Sequence, residues 1–72
     1  MDALIIPYLR RRRSPDVTPE MAAKIRTMLR LGMTQHDIAS HFRVNQGRVS
    51  EIKTGIHRYA FVDPAPVEAL YG

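Results

Sequence analysis

A run of short polar side chains between residues 45 and 54 could form hydrogen bonds with the edges of DNA bases. If Val49 and Ile52 face inward on a helix, a step of roughly 100° per residue turns positions 47, 50, 51 and 54 to the opposite side. Base reading in the major groove needs short or amide side chains of this kind. We therefore predict these base-reading residues: Asn45, Gln46, Gly47, Ser50, Glu51 and Thr54.

Cationic side chains occur at the borders of this polar face, where DNA phosphates would lie. Lys53 flanks one edge and Arg48 the other, and Arg43 precedes the helix. Contacts of this type hold a protein on the DNA backbone without reading base sequence. The predicted backbone contacts are Arg10, Arg11, Arg12, Arg13, Thr34, Gln35, Arg43, Arg48 and Lys53.

The four consecutive arginines at positions 10–13 have two interpretations. They could be a solvated, disordered charge run that aids solubility, or an arm that follows the phosphates or enters the adjacent minor groove. The neighbouring polar face favours the arm.

The sequence offers little for catalysis or metal binding. His36 and His41 are five positions apart, so on one helix they point about 140° away from each other and cannot share a metal ion. The chain has no cysteine, and it lacks paired carboxylates, a glycine-rich phosphate loop and a nucleophile elbow. His57 is the third and last histidine of the sequence. We therefore expect no enzyme activity, no metal, no cofactor and no small-molecule ligand.

Two short helices are predicted to hold the polar face. The first has Thr34 as its N-cap and Asp37 in its first turn, with Ile38, Ala39 and Phe42 facing inward. The second begins at Asn45, another good N-cap, and ends before Gly55. Each is too short to be stable alone, so both must depend on tertiary packing.

The spacing of apolar residues over about twenty positions resembles the helix-turn-helix of phage repressors and serine recombinases. The small residue, the bulky residue, the turn aliphatic and the two aliphatics of the second helix correspond to Ala39, Phe42, Val44, Val49 and Ile52. One position departs from the family: Arg43 stands where glycine is common, and a positive φ there costs roughly 1 kcal/mol. The resemblance implies a trihelical fold that binds DNA.

A plainer alternative is an αα-hairpin in a small helical bundle that binds no nucleic acid. The solvated face of a structural helix more often carries long charged side chains, whereas this face is short and polar. The composition of the face therefore favours DNA recognition.

A further helix precedes this pair and supports it. After a linker at residues 14–17, Thr18 is a natural N-cap, Pro19 suits the first helical position, and Gly32 ends the helix. Its inward stripe consists of Met21, Ala22, Ile25, Met28 and Leu29. The predicted fold is an all-α three-helix bundle with a helix-turn-helix, an extended basic N-terminal arm and an extended C-terminal tail.

We divide the chain into an arm and linker at residues 1–17, a trihelical domain at 18–57, and a tail at 58–72. The formal net charge of +4 fits a nucleic-acid binder but would fit a membrane-surface protein equally well. The apolar run at residues 3–6 is too short for a membrane span, and it lies before the arginines, unlike a signal peptide. We therefore expect no membrane partner and a cytoplasmic, nucleoid-associated protein encoded by a bacterium or a phage.

A chain of 72 residues without disulfides has a marginal core, and this one has surplus apolar residues near both ends. Those residues should either cover the core or pair with a second copy, so a homodimer is expected, with the tail as a possible dimerisation segment. Three functions stay open: a small DNA-binding transcriptional regulator such as a repressor, an antiactivator-type protein-interaction module, and the DNA-binding piece of a recombinase or packaging protein from a mobile element. The basic arm favours the first and third, and the initiating Met favours the first over the third.

Overall fold

The computed structural model describes residues 16–71, and within this range the fold is all-helical. It contains three α-helices, α1 (Pro19–Arg30), α2 (Gln35–Phe42) and α3 (Gln46–Thr54), followed by a 3-10 turn at Val67–Leu70. No strand occurs in the described part of the chain. The predicted helical class and the three predicted helices are confirmed. The predicted arm and its arginines lie outside the described residues.

Each α-helix begins at the N-cap that the sequence predicts. The hydroxyl of Thr18 accepts a hydrogen bond from the N–H of Met21 (3.1 Å), and that of Thr34 accepts one from Asp37 (3.1 Å). The side-chain oxygen of Asn45 accepts from the N–H of Gly47 at 2.7 Å. These bonds satisfy main-chain donors that have no partner inside the helix, and so they set where each helix starts.

The helices end in a shared backbone pattern with a residue at positive φ. Gly32 and Gly55 have φ of 89°, and Arg43 has φ of 57°. At the end of α2, the N–H of Val44 donates to the carbonyl of Ala39 (3.0 Å) and that of Arg43 to Ser40 (3.3 Å), a Schellman arrangement. The positive φ expected at Arg43 is therefore present, and it ends α2 before the turn to α3.

One large aliphatic residue from each helix forms the centre of the core. Ile25 of α1, Ile38 of α2 and Val49 of α3 are fully buried. Ala39 and Ile52 are also buried beside them, as the spacing predicts. Since none of the three helices is long enough to be stable alone, this common core is what holds them.

Val17 joins this core although the sequence assigned it to the linker. Its side chain is 5% exposed and belongs to the same apolar cluster as Ala22. Val17 immediately precedes the N-cap Thr18, and Ala22 is the fourth residue of α1, which are the two positions of a hydrophobic staple. The packed domain thus extends one residue before its N-cap.

The C-terminal segment folds back onto α1. The guanidinium of Arg26 donates to the carbonyl of Val62, and the hydroxyl of Thr27 donates to that of Ala65. In return, the N–H of Ala65 donates to the carbonyl of Ala23 at 3.0 Å. Ala60 is buried, and three further residues pack against the core: Tyr59, Val62 and Leu70. Covering of the core, one of the two alternatives left by the sequence, is therefore observed here.

Within residues 16–71, no helix is both long enough and apolar enough to cross a membrane.

Candidate nucleic-acid interface

Helix α3 has one buried side and one polar side. Val49 and Ile52 are 0% and 3% exposed, which confirms that they face the core. On the other side, Ser50 and Glu51 are half-buried, and the remaining predicted contacts of this helix and its N-cap are exposed: Asn45, Gln46, Gly47, Arg48, Lys53 and Thr54. A partner molecule could therefore reach most of the predicted polar face.

A shallow groove joins this face to the start of α2. Thr34, Gln35 and His36 line it from α2, and Gln46 and Lys53 line it from α3. Thr34 and Lys53, which are 19 positions apart in the sequence, thus border one depression. Two of the predicted backbone contacts, Thr34 and Gln35, lie next to a predicted base-reading residue, Gln46.

Two of the predicted contacts are partly engaged by the protein itself. The side-chain oxygen of Asn45 caps α3, so one of its two lone pairs is used and the orientation of the amide is fixed while the cap is intact. The hydroxyl of Thr54 donates to the carbonyl of Ser50 at 3.0 Å, which leaves its oxygen free to accept. Neither residue can use all of its hydrogen-bonding capacity on DNA.

The far edge of α3 carries an ion pair. The guanidinium of Arg48 lies 3.6 Å from the carboxylate of Glu51, and the two side chains are 45% and 40% exposed. An exposed pair one helical turn apart contributes little to stability. It does, however, place a negative charge beside a predicted phosphate contact, so Arg48 presents a weaker positive field than Lys53.

The remaining predicted contact, Arg43, is exposed in the turn between α2 and α3. Its backbone conformation is fixed by the hydrogen bonds that end α2.

Each of the three histidines has different neighbours. His36 borders the groove described above, and His41 packs edge-on against Phe42 with ring centroids 4.8 Å apart. The Nδ1 atom of His57 accepts a hydrogen bond from the N–H of Tyr59 at 3.1 Å. In residues 16–71 no group of three or more histidine or acidic side chains is placed to hold a metal ion.

Sequence reasoning missed Arg30 and Phe61, which lie near this interface. Together with Lys53 they line a second groove, between the ends of α1 and α3. Arg30 is off the apolar stripe of α1, and Phe61 is one of the surplus apolar residues near the C-terminal end of the sequence. The only feature of the sequence that could have indicated these two residues is that both have large side chains without a place in the predicted core.

Comparison of the chain with protein-family models, with curated proteins and with solved structures found no match.

Proposed function

We propose that this protein binds double-stranded DNA through a helix-turn-helix formed by α2 and α3, with α3 as the recognition helix. The observation that carries the proposal is the two-sided character of α3. Val49 and Ile52 are buried, whereas Thr54 on the opposite side of the helix and Gln46 and Lys53 at its edge are exposed. A helix that reads bases must be fixed from behind and present short polar side chains in front.

The turn between the two helices supports the same proposal. Ala39, 5% exposed, is a small residue on the inner side of α2, where it lets α3 approach closely. Arg43 adopts the left-handed conformation that the resemblance expects at the turn, and Val44 is buried directly after it. These features fix the direction in which α3 leaves α2, and so the direction in which its polar side faces.

The charges around the polar side fit a polyanion. Lys53 and Arg43 are exposed, and Lys53 borders the groove that also holds Gln46. A phosphate contact next to a base contact is the usual arrangement in DNA recognition, since the backbone contact positions the base-reading side chain. We propose that Gln46 is the principal base-reading residue because it is exposed and its amide is not used in a cap.

Selection of bound sites from random duplexes tests the proposal directly. The wild-type protein should enrich a defined sequence, and its affinity should fall with salt, each phosphate contact adding roughly −0.9 to the slope of log affinity against log salt. A protein that binds no duplex at low salt, or binds with a flat salt response, would contradict DNA binding and favour a protein-interaction module.

We also propose that the protein acts as a homodimer in transcriptional regulation. Several large apolar side chains remain exposed in residues 16–71, Val67 (43%) and Tyr71 (85%) of the C-terminal tail among them. A symmetric dimer would bind two half-sites about one helical turn of DNA apart. Sedimentation of the free protein and of its DNA complex measures this, and a monomer that occupies a single non-palindromic site would contradict it.

A further inference from the structure

A second groove lies between the C-terminal ends of α1 and α3, and we call it the Phe61 groove. Phe61 forms part of its wall, with Arg30 contributed by α1 and Lys53 and Gly55 by the end of α3. The groove encloses about 340 Å³. The ring of Phe61 is 77% exposed, so the fold leaves a large aromatic surface open on this side of the molecule.

Among residues 16–71, all of the charged side chains that line the Phe61 groove are positive. Arg26, Arg30 and Lys53 border it, and no acidic residue of this part of the chain does. The contrast is a cleft on the opposite edge of α3, where Arg48 and Arg58 are accompanied by Asp16 and Glu51. The charged side chains of the Phe61 groove are therefore all cationic, whereas the cleft on the opposite edge carries two positive and two negative side chains. Each has an apolar residue of nearly equal exposure at its border, Phe61 and Ile56 respectively.

Two side chains of the Phe61 groove, Arg26 and Phe61, contact other parts of the fold. Arg26 is fixed by its hydrogen bond to the carbonyl of Val62. The ring of Phe61 is seated on Gly55, where a β-carbon would lie 3.2 Å from its Cζ atom. The ring of Phe61 and one of the cations, Arg26, are thus positioned before any ligand arrives, which lowers the entropic cost of binding.

We propose that the Phe61 groove takes a sugar-phosphate strand of the bound duplex, beyond the bases that α3 contacts. Arg30 and Lys53 contact phosphates, and the ring of Phe61 packs against the deoxyribose between them. This inference rests on the proposed function, and it adds a contact region that the helix-turn-helix alone does not include. It also assigns a role to Arg30 and Phe61.

Two observations favour a DNA strand over a protein segment as the occupant. Lys53 lines both this groove and the groove that holds Gln46, so the two form one continuous surface. A strand that leaves the bases next to Gln46 would meet the Phe61 groove next. Moreover, a groove with cations only is complementary to a polyanion whose sugar faces are apolar.

The test compares Phe61→Ala with Ile56→Ala as the matched control. The two side chains are 77% and 76% exposed, but Ile56 borders the cleft on the opposite edge of α3. With fluorescence anisotropy on the selected duplex, Phe61→Ala should weaken binding about tenfold and leave the salt slope unchanged, since no charge is removed. Ile56→Ala should bind like the wild type.

Arg30→Ala is the second variant. It removes a cation of the groove and leaves the ring of Phe61 in place, so its effect does not depend on the aromatic contact. It should weaken binding and lower the magnitude of the salt slope by roughly 0.9, as expected for one lost phosphate contact. Circular dichroism of all three variants checks that the helices are retained.

Failure of the inference is distinguishable from failure of the proposed function. If wild-type protein binds its selected duplex but Phe61→Ala and Arg30→Ala bind equally well, the groove proposal is overturned and DNA binding by α3 stands. If Phe61→Ala instead changes the sedimentation of the DNA-free protein without changing DNA affinity, the occupant is a second copy and the proposal is again overturned. If the wild type binds no duplex, both are overturned.

Discussion

The ring of Phe61 lies so close to Gly55 that a β-carbon at position 55 would come within 3.2 Å of the ring's Cζ atom. Gly55 also ends α3 in the left-handed region, with φ of 89°. Two separate requirements, backbone conformation and close approach of an aromatic ring, therefore act on one residue. This contact joins the end of α3 to the C-terminal segment that follows it.

The first prediction separates these two requirements with a pair of glycine substitutions. Gly32 has the same φ of 89°, but a β-carbon there would meet no other atom of residues 16–71 within 4 Å. Gly32→Ala should lower the free energy of unfolding by about 1 kcal/mol through backbone strain alone. Gly55→Ala should cost about 1 kcal/mol more, because the ring of Phe61 must move. Urea unfolding followed by circular dichroism measures both.

A double-mutant cycle completes this test. In a Phe61→Ala background, Gly55→Ala should cost no more than Gly32→Ala does, because the ring is gone. An unchanged cost for Gly55→Ala in that background would show that the strain, and not the ring, makes Gly55 necessary.

The second prediction concerns the attachment of the C-terminal segment to α1. Thr27 is 6% exposed, and its hydroxyl donates to the carbonyl of Ala65. Thr27→Val keeps the shape of the side chain but leaves that carbonyl without its partner, which should cost about 1 to 2 kcal/mol of stability. The amide of Ala65, bonded to the carbonyl of Ala23, should then exchange faster with solvent.

Thr54→Val is the matched control for this prediction. Its hydroxyl donates within α3 and is exposed, so its removal should change stability by less than about 0.5 kcal/mol. Equal costs for the two substitutions would contradict a structural role for the Thr27 bond.

The attachment just described also shows where sequence reasoning ends. Helix starts could be predicted because a cap such as Thr34 and the N–H it satisfies are three residues apart. Thr27 and Ala65 are 38 positions apart, and their bond uses a main-chain carbonyl that every residue type has. No sequence pattern marks such a pair, so the sequence predicts an extended tail whose apolar residues could cover the core, but it does not predict the bonds that attach the tail to α1.

Some features of the candidate site could likewise be predicted from the sequence, and others depend on tertiary packing. The inward direction of Val49 and Ile52 follows from their spacing, and with it the polar side of α3. The joining of Thr34 and Gln35 to Gln46 in one groove depends on how α2 and α3 cross. The place of Arg30 beside Phe61 depends on how the C-terminal segment returns. Both are tertiary features, and local patterns carry no information about them.

The third prediction distinguishes capping from base reading at Asn45. Asn45→Ser keeps an acceptor for the N–H of Gly47 and should retain wild-type stability, whereas Asn45→Ala should lose about 1 kcal/mol. Because the cap holds the side-chain oxygen of Asn45 toward the N–H of Gly47, Asn45 is less free than Gln46 to turn its amide toward adenine for a two-bond pair. Asn45→Ser should therefore alter the selected DNA sequence less than Gln46→Ala does.

Thermal unfolding and selection from random duplexes measure these two effects. If Asn45→Ser loses base discrimination to the same extent as Gln46→Ala, the cap is released in the complex and Asn45 reads a base with its full amide.

The last prediction separates reading from holding within one groove. Gln46 and Lys53 both border it and are both exposed, but only the amide of Gln46 can form a two-bond pair with adenine. Gln46→Ala should cost about 1 to 3 kcal/mol on the selected duplex and little on random DNA, so that discrimination falls. Lys53→Ala should weaken both duplexes alike and flatten the salt slope, because a phosphate contact carries no base information.

A folding control accompanies this comparison. Val49 is fully buried, so Val49→Asp places a charge between the helices and should abolish helical structure as well as binding. Gln46→Ala and Lys53→Ala should instead keep wild-type circular dichroism, since both side chains are exposed. Equal losses on selected and random duplexes for Gln46→Ala, or a changed preferred sequence for Lys53→Ala, would contradict the assigned roles, because the first would then be a backbone contact and the second a base contact.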